Sequence, residues 1–186
     1  MNLATFVTIA RPDYKGDGTS KVVSDDDVIA ALREPAFAAS DKPHVVALAS
    51  WLLAETTSNR VRNAAAFFLA DQIGAEARDH VLPLLKRPDL AQSTGSLLFA
   101  LNEVGAKLPL DLILQTMEHG SLEAQAEALT FMEEERIDPF TSEEGSVAKS
   151  RLAAMHRQTA NAMLSEAAAL ALEYLDELEP EAAPDV

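Results

Sequence analysis

The residues able to do chemistry in this chain are numerous but poorly grouped. Four histidines, His44, His80, His119 and His156, stand far apart, and no two have the i, i+4 spacing that puts two metal ligands on one helical face. There is no cysteine, so neither a thiolate zinc site nor a disulfide framework is available. Ser146 and Lys149 match the serine-x-x-lysine spacing of some acyl-transfer enzymes, but the Ser-Asp-Asn and Lys-Thr-Gly elements that accompany it are missing. No Gly-x-Ser-x-Gly turn and no glycine-rich phosphate loop is present. Asp25, Asp26 and Asp27 behind Ser24 could be read as a metal cluster, yet negative charge in a first helical turn is favoured by the helix dipole and explains them as well. Asp13 and Asp17 with their flanking glycines lack the alternating oxygens and closing Glu of a calcium loop. The expectation is therefore a non-enzyme with no catalytic residue, no metal and no cofactor.

Charge narrows the partners. The net charge is −15, and residues 121–186 hold 15 of the 30 acidic residues but 4 of the 15 basic ones. Such a field repels nucleic acid and anionic lipid, whose affinity comes from Lys and Arg. It either keeps an apolar-rich chain in solution or attracts a basic protein by complementarity. No stretch approaches the roughly 20 apolar residues of a membrane-spanning helix, and Met1 to Ala10 lacks the basic start of a secretory signal. A cytoplasmic location is expected.

The elements that would position any site are helical. The chain is 48% hydrophobic, rich in Ala and Leu, and only 5% aromatic, and alternation is confined to Thr5–Ile9. An all-α fold follows. Ser58, Asp89 and Ser121 are helix-start residue types at spacings of 31 and 32, each followed by a 3.6-residue apolar pattern: Val61, Ala65 and Phe68; Leu97, Leu98 and Leu101; Ala124, Ala128 and Met132. Gly74 and Gly105 close two of these runs, 31 apart. Shorter apolar helices lie between them, with Val81, Leu82 and Leu85 matching Ile113, Leu114 and Met117 at a shift of 32. A helix, turn and second helix recur, so each unit buries its apolar face against its neighbours.

Here the chain resembles the HEAT-like repeats of bacterial proteins. Val61-Arg62-Asn63-Ala64-Ala65-Ala66 is similar to the start of that family's second helix, and Val81-Leu82-Pro83-Leu84-Leu85-Lys86-Arg87-Pro88-Asp89 to its helix and turn. Ser121 to Leu129 looks like a third copy, and the likeness covers residues 44–136. Gln92-Ser93-Thr94 departs from the pattern, and Glu133-Glu134-Glu135-Arg136 has no closing glycine. The resemblance implies a short right-handed α-solenoid of about three hairpins, with N- and C-terminal capping helices. It also implies a link from Arg62 to Asp89 between neighbouring units.

Residues 1–23 are expected as a flexible lead-in, residues 24–178 as one helical repeat domain, and residues 179–186 as a disordered acidic tail. Ser24 starts a capping helix and Lys42-Pro43 opens the next, where Trp51 fills the core. Residues 137–145 read as a loop, and a single long helix as running over 146–178. Its stripe of Leu152, Met155, Thr159, Met163, Ala167, Leu170, Tyr174 and Leu178 either caps the stack or pairs with another chain. Stacked hairpins leave a concave surface lined by second helices, so Arg60, Asn63, Phe67, Asp71, Asn102, Glu103, Glu123 and Glu127 are the expected partner-binding residues. The expected function is binding of another, basic protein, as an inhibitor, immunity or adaptor protein. The alternatives are a structural subunit that oligomerises through the C-terminal helix, and a HEAT-like lyase or glycosylase.

Overall fold

The computed structural model describes residues 24–35 and 41–178; the lead-in over 1–23 and the tail over 179–186 lie outside the described residues. The described chain is all-α. It forms α1 (Asp25–Arg33), α2 (Lys42–Glu55), α3 (Asn59–Ile73), α4 (Ala77–Leu85), α5 (Gly95–Glu103), α6 (Leu110–His119), α7 (Leu122–Glu133), α8 (Ser142–Gln158) and α9 (Ala162–Glu177). Tight 3-10 turns occupy Gly74–Glu76 and Pro88–Ser93.

Local chemistry starts most of these helices where the side chains allow it. Ser24 accepts from Asp27 N while Asp27 accepts from Ser24 N, a closed capping box that satisfies two end amides at once. Ser58 and Ser121 accept from the amides of Val61 and Ala124, and Pro43 sits in the first turn of α2. Asp89 does not start a helix. It lies in the 3-10 turn, where Arg87 Nη2 reaches it at 2.7 Å. Ser93 and Thr94 there give their hydroxyls back to the carbonyls of Leu90 and Ala91, which favours the tighter turn, and α5 begins only at Gly95.

The chain falls into two compact units, Met1–Val81 and Leu82–Val186, with the division inside α4. In the first, α2 and α3 form a hairpin and α1 packs on α3. Asp25 accepts from Ser58 Oγ and Asp26 from Arg60 Nη2, each at 2.5 Å, so α1 and α3 start side by side. The three acids are thus engaged in a cap and two helix-to-helix bonds. Leu32, Leu48, Leu52, Leu53, Val61, Ala65, Phe68 and Leu69 are buried, and Trp51 is half-buried. Arg62 is 3% exposed and donates to Asn59 Oδ1 and, at 2.7 Å, to Thr56 O, tying down the turn between α2 and α3.

In the second unit α6 and α7, and then α8 and α9, form hairpins. α5 packs on α7 and α7 on α9, while α6 packs on α8. Ser96 meets Glu123 and Asn102 meets Glu127, so α5 and α7 run the same way. Leu97, Leu98, Leu101, Ile113, Leu114, Met117, Phe131, Met132, Leu152 and Leu175 make the core. Ala124, Ala128, Ala168 and Ala171 are fully buried on α7 and α9, where small side chains let helices approach closely.

Two further features differ from the sequence expectation. Residues 142–158 are already helical, because Thr141 and Glu144 close a second capping box inside the stretch read as a loop. The single helix over 146–178 is two helices. Thr159 is extended (φ −75°, ψ 137°) and Asn161 accepts from the amides of Met163 and Leu164, so α9 restarts on a new cap. That restart shifts the apolar phase: Ala168, Ala171 and Leu175 are buried, whereas Met163 and Leu170 of the expected stripe point outward.

Candidate binding cleft

The 134–140 loop is the element that shapes a cleft in the second unit. α7 closes with Arg136 N bonding Phe131 O at 2.8 Å, and α5 closes with the matching bond from Ala106 N to Leu101 O at 3.1 Å. The left-handed residue this motif requires is Gly105 (φ 67°) in one and Glu135 (φ 55°) in the other. Beyond it, Leu108 N bonds Arg136 O at 3.1 Å and Asp138 N bonds Leu108 O at 2.8 Å. The loop is thereby pinned along the entry to α6, which fixes Asp138, Pro139 and Phe140 in space.

Between this loop, the start of α6 and the first half of α8 lies a cleft of about 530 Å³. Its apolar lining is Pro109, Leu110, Leu114, Pro139, Phe140, Val147 and Ala148; its polar lining is Asp111, Asp138, Glu143, Glu144 and Arg151. That size and mixed lining are within the usual range for ligand-binding clefts. Four carboxylates stand against one guanidinium, and the guanidinium is already engaged. Arg151 donates Nε and Nη2 to the two oxygens of Glu118 at 2.9 and 2.8 Å, and Nη1 to Asp111 at 2.5 Å. The bond from Arg151 holds the Glu118 carboxyl below its usual range, and the bond to Glu118 in turn raises Arg151. Glu144 is turned back on Thr141, whose backbone amide and hydroxyl hold its carboxyl down. Glu143 and Val147 (53% exposed) remain at the mouth.

The groups singled out by sequence have other roles. Ser146 donates to Ser142 O, and Lys149 forms an ion pair with Asp176 at 2.6 Å, so each is engaged with a residue other than its motif partner. Two serine–histidine pairs, which sequence spacing does not bring together, are formed by Ser50 with His80 and Ser165 with His156. A nucleophilic serine must give its proton to the imidazole. Here the hydroxyl of Ser50 goes to Val46 O at 2.7 Å and that of Ser165 to His156 O at 3.0 Å. Among the described residues no group of three His, Cys, Asp or Glu is placed to hold a metal ion. No helix among them is long and apolar enough to cross a membrane.

Of the expected contact residues, Arg60, Asn63, Phe67 and Asp71 lie in the first unit and Asn102, Glu103, Glu123 and Glu127 in the second. Phe67 (36% exposed) and Asp71 share an exposed strip of α3 with half-buried Asn63, while Arg60 is paired with Asp26. Asn102 is 6% exposed and belongs to a helix-to-helix contact rather than a surface: its Nδ2 donates to Glu127 Oε2 at 2.7 Å, and its backbone oxygen accepts from Arg136. Glu123 accepts from Ser96 and lies over Gly95, where a Cβ would come within 2.5 Å of its side chain. Glu103 is exposed.

Compared with protein-family models, with curated proteins and with solved structures, the chain matches none. The cleft residues escaped sequence reasoning because they come from three separate segments. The signal that could have found part of it was Thr141-Ser142-Glu143-Glu144, a capping box that predicts a helix start and so a fixed position for Val147 and Arg151.

Proposed function

We propose that this protein is a non-catalytic binding module that grips a basic segment of another protein, as an inhibitor, immunity or adaptor protein does. The observation that carries the reading is the cleft: an apolar floor rimmed by Asp138, Glu143 and Glu144, beside a single arginine that Asp111 of the same lining and Glu118 already engage. Such a site favours a lysine or arginine whose apolar stem, or an apolar neighbour, lies on Phe140 and Val147. It disfavours phosphate and nucleic acid.

Packing within the second unit supports a HEAT-like solenoid as the architecture. Helices α5, α7 and α9 follow one another on one side and α6 and α8 on the other, with hairpins between them. Each hairpin then covers its neighbour, as repeat arrays require. The shared closing motif of α5 and α7, 30 residues apart from Ala106 to Arg136, is what a repeat would leave behind. Phe67 and Asp71 on α3 belong to the same reading as further contact residues. The serine hydroxyls committed to carbonyls and the paired Lys149 favour binding over catalysis.

The test is fluorescence anisotropy of short labelled peptides against the full chain. A lysine-and-phenylalanine peptide is expected to bind and to weaken as salt rises, and its glutamate counterpart to stay free. Glu143→Lys and Val147→Asp should each weaken the basic peptide by roughly tenfold, which is about 1.4 kcal/mol. Equal binding by wild type and both variants would sink the reading of the cleft.

A further inference from the structure

The outer side of α9 combines three observations that the cleft does not use. Met163, Glu166, Leu170, Glu173 and Glu177 follow one another at steps of three and four, and every one is exposed. They therefore lie along one line of the helix, opposite the Ala168, Ala171 and Leu175 face that is buried. Met163 is 65% exposed and Leu170 37%, seven residues apart, with a glutamate three residues after each. Finally, α9 has four carboxylates and no lysine or arginine, and among the described residues only Asp176 of these carboxylates is in an ion pair, with Lys149.

Scattered exposed apolar side chains are ordinary and carry no meaning. A line of alternating apolar and acidic residues at the helix–helix repeat is different, because it defines both the shape and the charge of what fits it. We infer that this line is a docking surface for a helix of another protein carrying apolar residues and lysines or arginines at the same three-and-four spacing. A spacing of three and four selects a helix, since an extended strand would meet every second residue. Charge selects a basic one. A second copy of α9 laid along the line would set glutamate against glutamate in either direction, which opposes self-pairing. Anionic lipid and nucleic acid are repelled for the same reason. The partner helix then occupies the position beside α9 that another helix of the row α5, α7, α9 would take.

The experiment uses the full chain and a labelled synthetic peptide with leucines and lysines in helical heptad order, beside a peptide of the same composition in shuffled order. The ordered peptide is expected to bind at least roughly tenfold more tightly than the shuffled one. Met163→Glu, Leu170→Glu and Glu173→Lys should each remove most of that difference, while the cleft variant Val147→Asp leaves it intact. Thermal melts establish that each variant is folded, and Leu170→Ala serves if Leu170→Glu melts early. Equal binding of both peptides, or insensitivity to all three α9 substitutions, overturns the inference. So does a mass by light scattering that shows a dimer dissociated by Leu170→Glu, which would make a second copy the occupant. Loss of the ordered peptide on Val147→Asp alone would return it to the cleft and leave α9 without a role.

Discussion

Glu118 on α6 and Arg151 on α8 are 33 residues apart in sequence and meet at two points, Nε to Oε1 at 2.9 Å and Nη2 to Oε2 at 2.8 Å. This fork is the main polar tie between the two helices that flank the cleft, and Asp111 extends it by a third bond from the same guanidinium. Its planar, two-point geometry lets Glu118, which is outside the cleft lining, position Arg151 together with Asp111 of the cleft.

The tie gives acid sensitivity a sign. The Glu118 carboxyl titrates below its ordinary 4.5 in the folded chain because Arg151 donates to its charged form. A lowered folded pKa means that the pair's contribution is complete above the unfolded value and is lost as pH falls below it through the folded one. Glu118→Gln should cost roughly 1 kcal/mol near neutral pH, the upper end for a partly exposed pair. It should also flatten the fall in urea midpoint between neutral and acid pH. A variant with the same acid slope as wild type would show that the slope arises elsewhere.

The matched ends of α5 and α7 provide a comparison inside one molecule. Gly105 (φ 67°) and Glu135 (φ 55°) occupy the same left-handed position of the same closing motif, yet only glycine adopts it without steric cost. Glu135→Gly should therefore stabilise the chain by up to about 1 kcal/mol, less what the freer unfolded chain gives back. Gly105→Ala should destabilise it by about 1 kcal/mol. No atom lies within 4 Å of a Cβ built on Gly105, so that loss would be one of backbone conformation and not of overlap. Chemical denaturation of the two variants gives both signs.

These two positions also show what the sequence made legible. Gly74 and Gly105 announce helix ends because their residue type matches the conformation, and Ser24, Ser58 and Ser121 announce starts for the same reason. The all-α fold and most of the apolar faces follow from such local matches. Glu135 closes α7 against its own preference, held by Arg136 N to Phe131 O, so its role is invisible until the loop's other bonds are known. The break at Thr159 is similar: no glycine or proline marks it, and Asn161 alone turns one apolar stripe into two with different phases. The cleft was illegible for a third reason. Its walls are set by the Leu108–Ile137 bridge and the Glu118–Arg151 fork, both long-range contacts between unremarkable residues.

Asn102 and Glu127 lie at the α5–α7 contact, with Nδ2 to Oε2 at 2.7 Å, and Asn102 Oδ1 is buried without a hydrogen-bond partner among the described residues. Asn102→Asp keeps the shape but replaces the donor with a second carboxylate beside the first. At neutral pH it should cost more than Asn102→Ala, which loses the bond at about 1–3 kcal/mol but adds no like charge. On acidification the aspartate and Glu127 can share a proton, so the gap between the two variants should close. Melting temperatures of both variants across the acid range test it, and a gap independent of pH would mean that packing, not charge, decides the site.

Gly145 separates stability from binding. It is a buried position in the first turns of α8, and a Cβ there would meet Phe140 Cε2 at 3.1 Å, a tight but not prohibitive contact. Alanine is favoured over glycine in a helix by up to about 1 kcal/mol. Phe140 lines the open cleft, so its ring has room to move by the few tenths of an ångström required. Gly145→Ala should then leave the denaturation midpoint unchanged or raised, while the displaced ring narrows the cleft and weakens a basic, apolar peptide by several-fold. A fall in stability with peptide affinity intact would show the reverse arrangement, with Phe140 rigid and the cleft occupied, if at all, away from its ring.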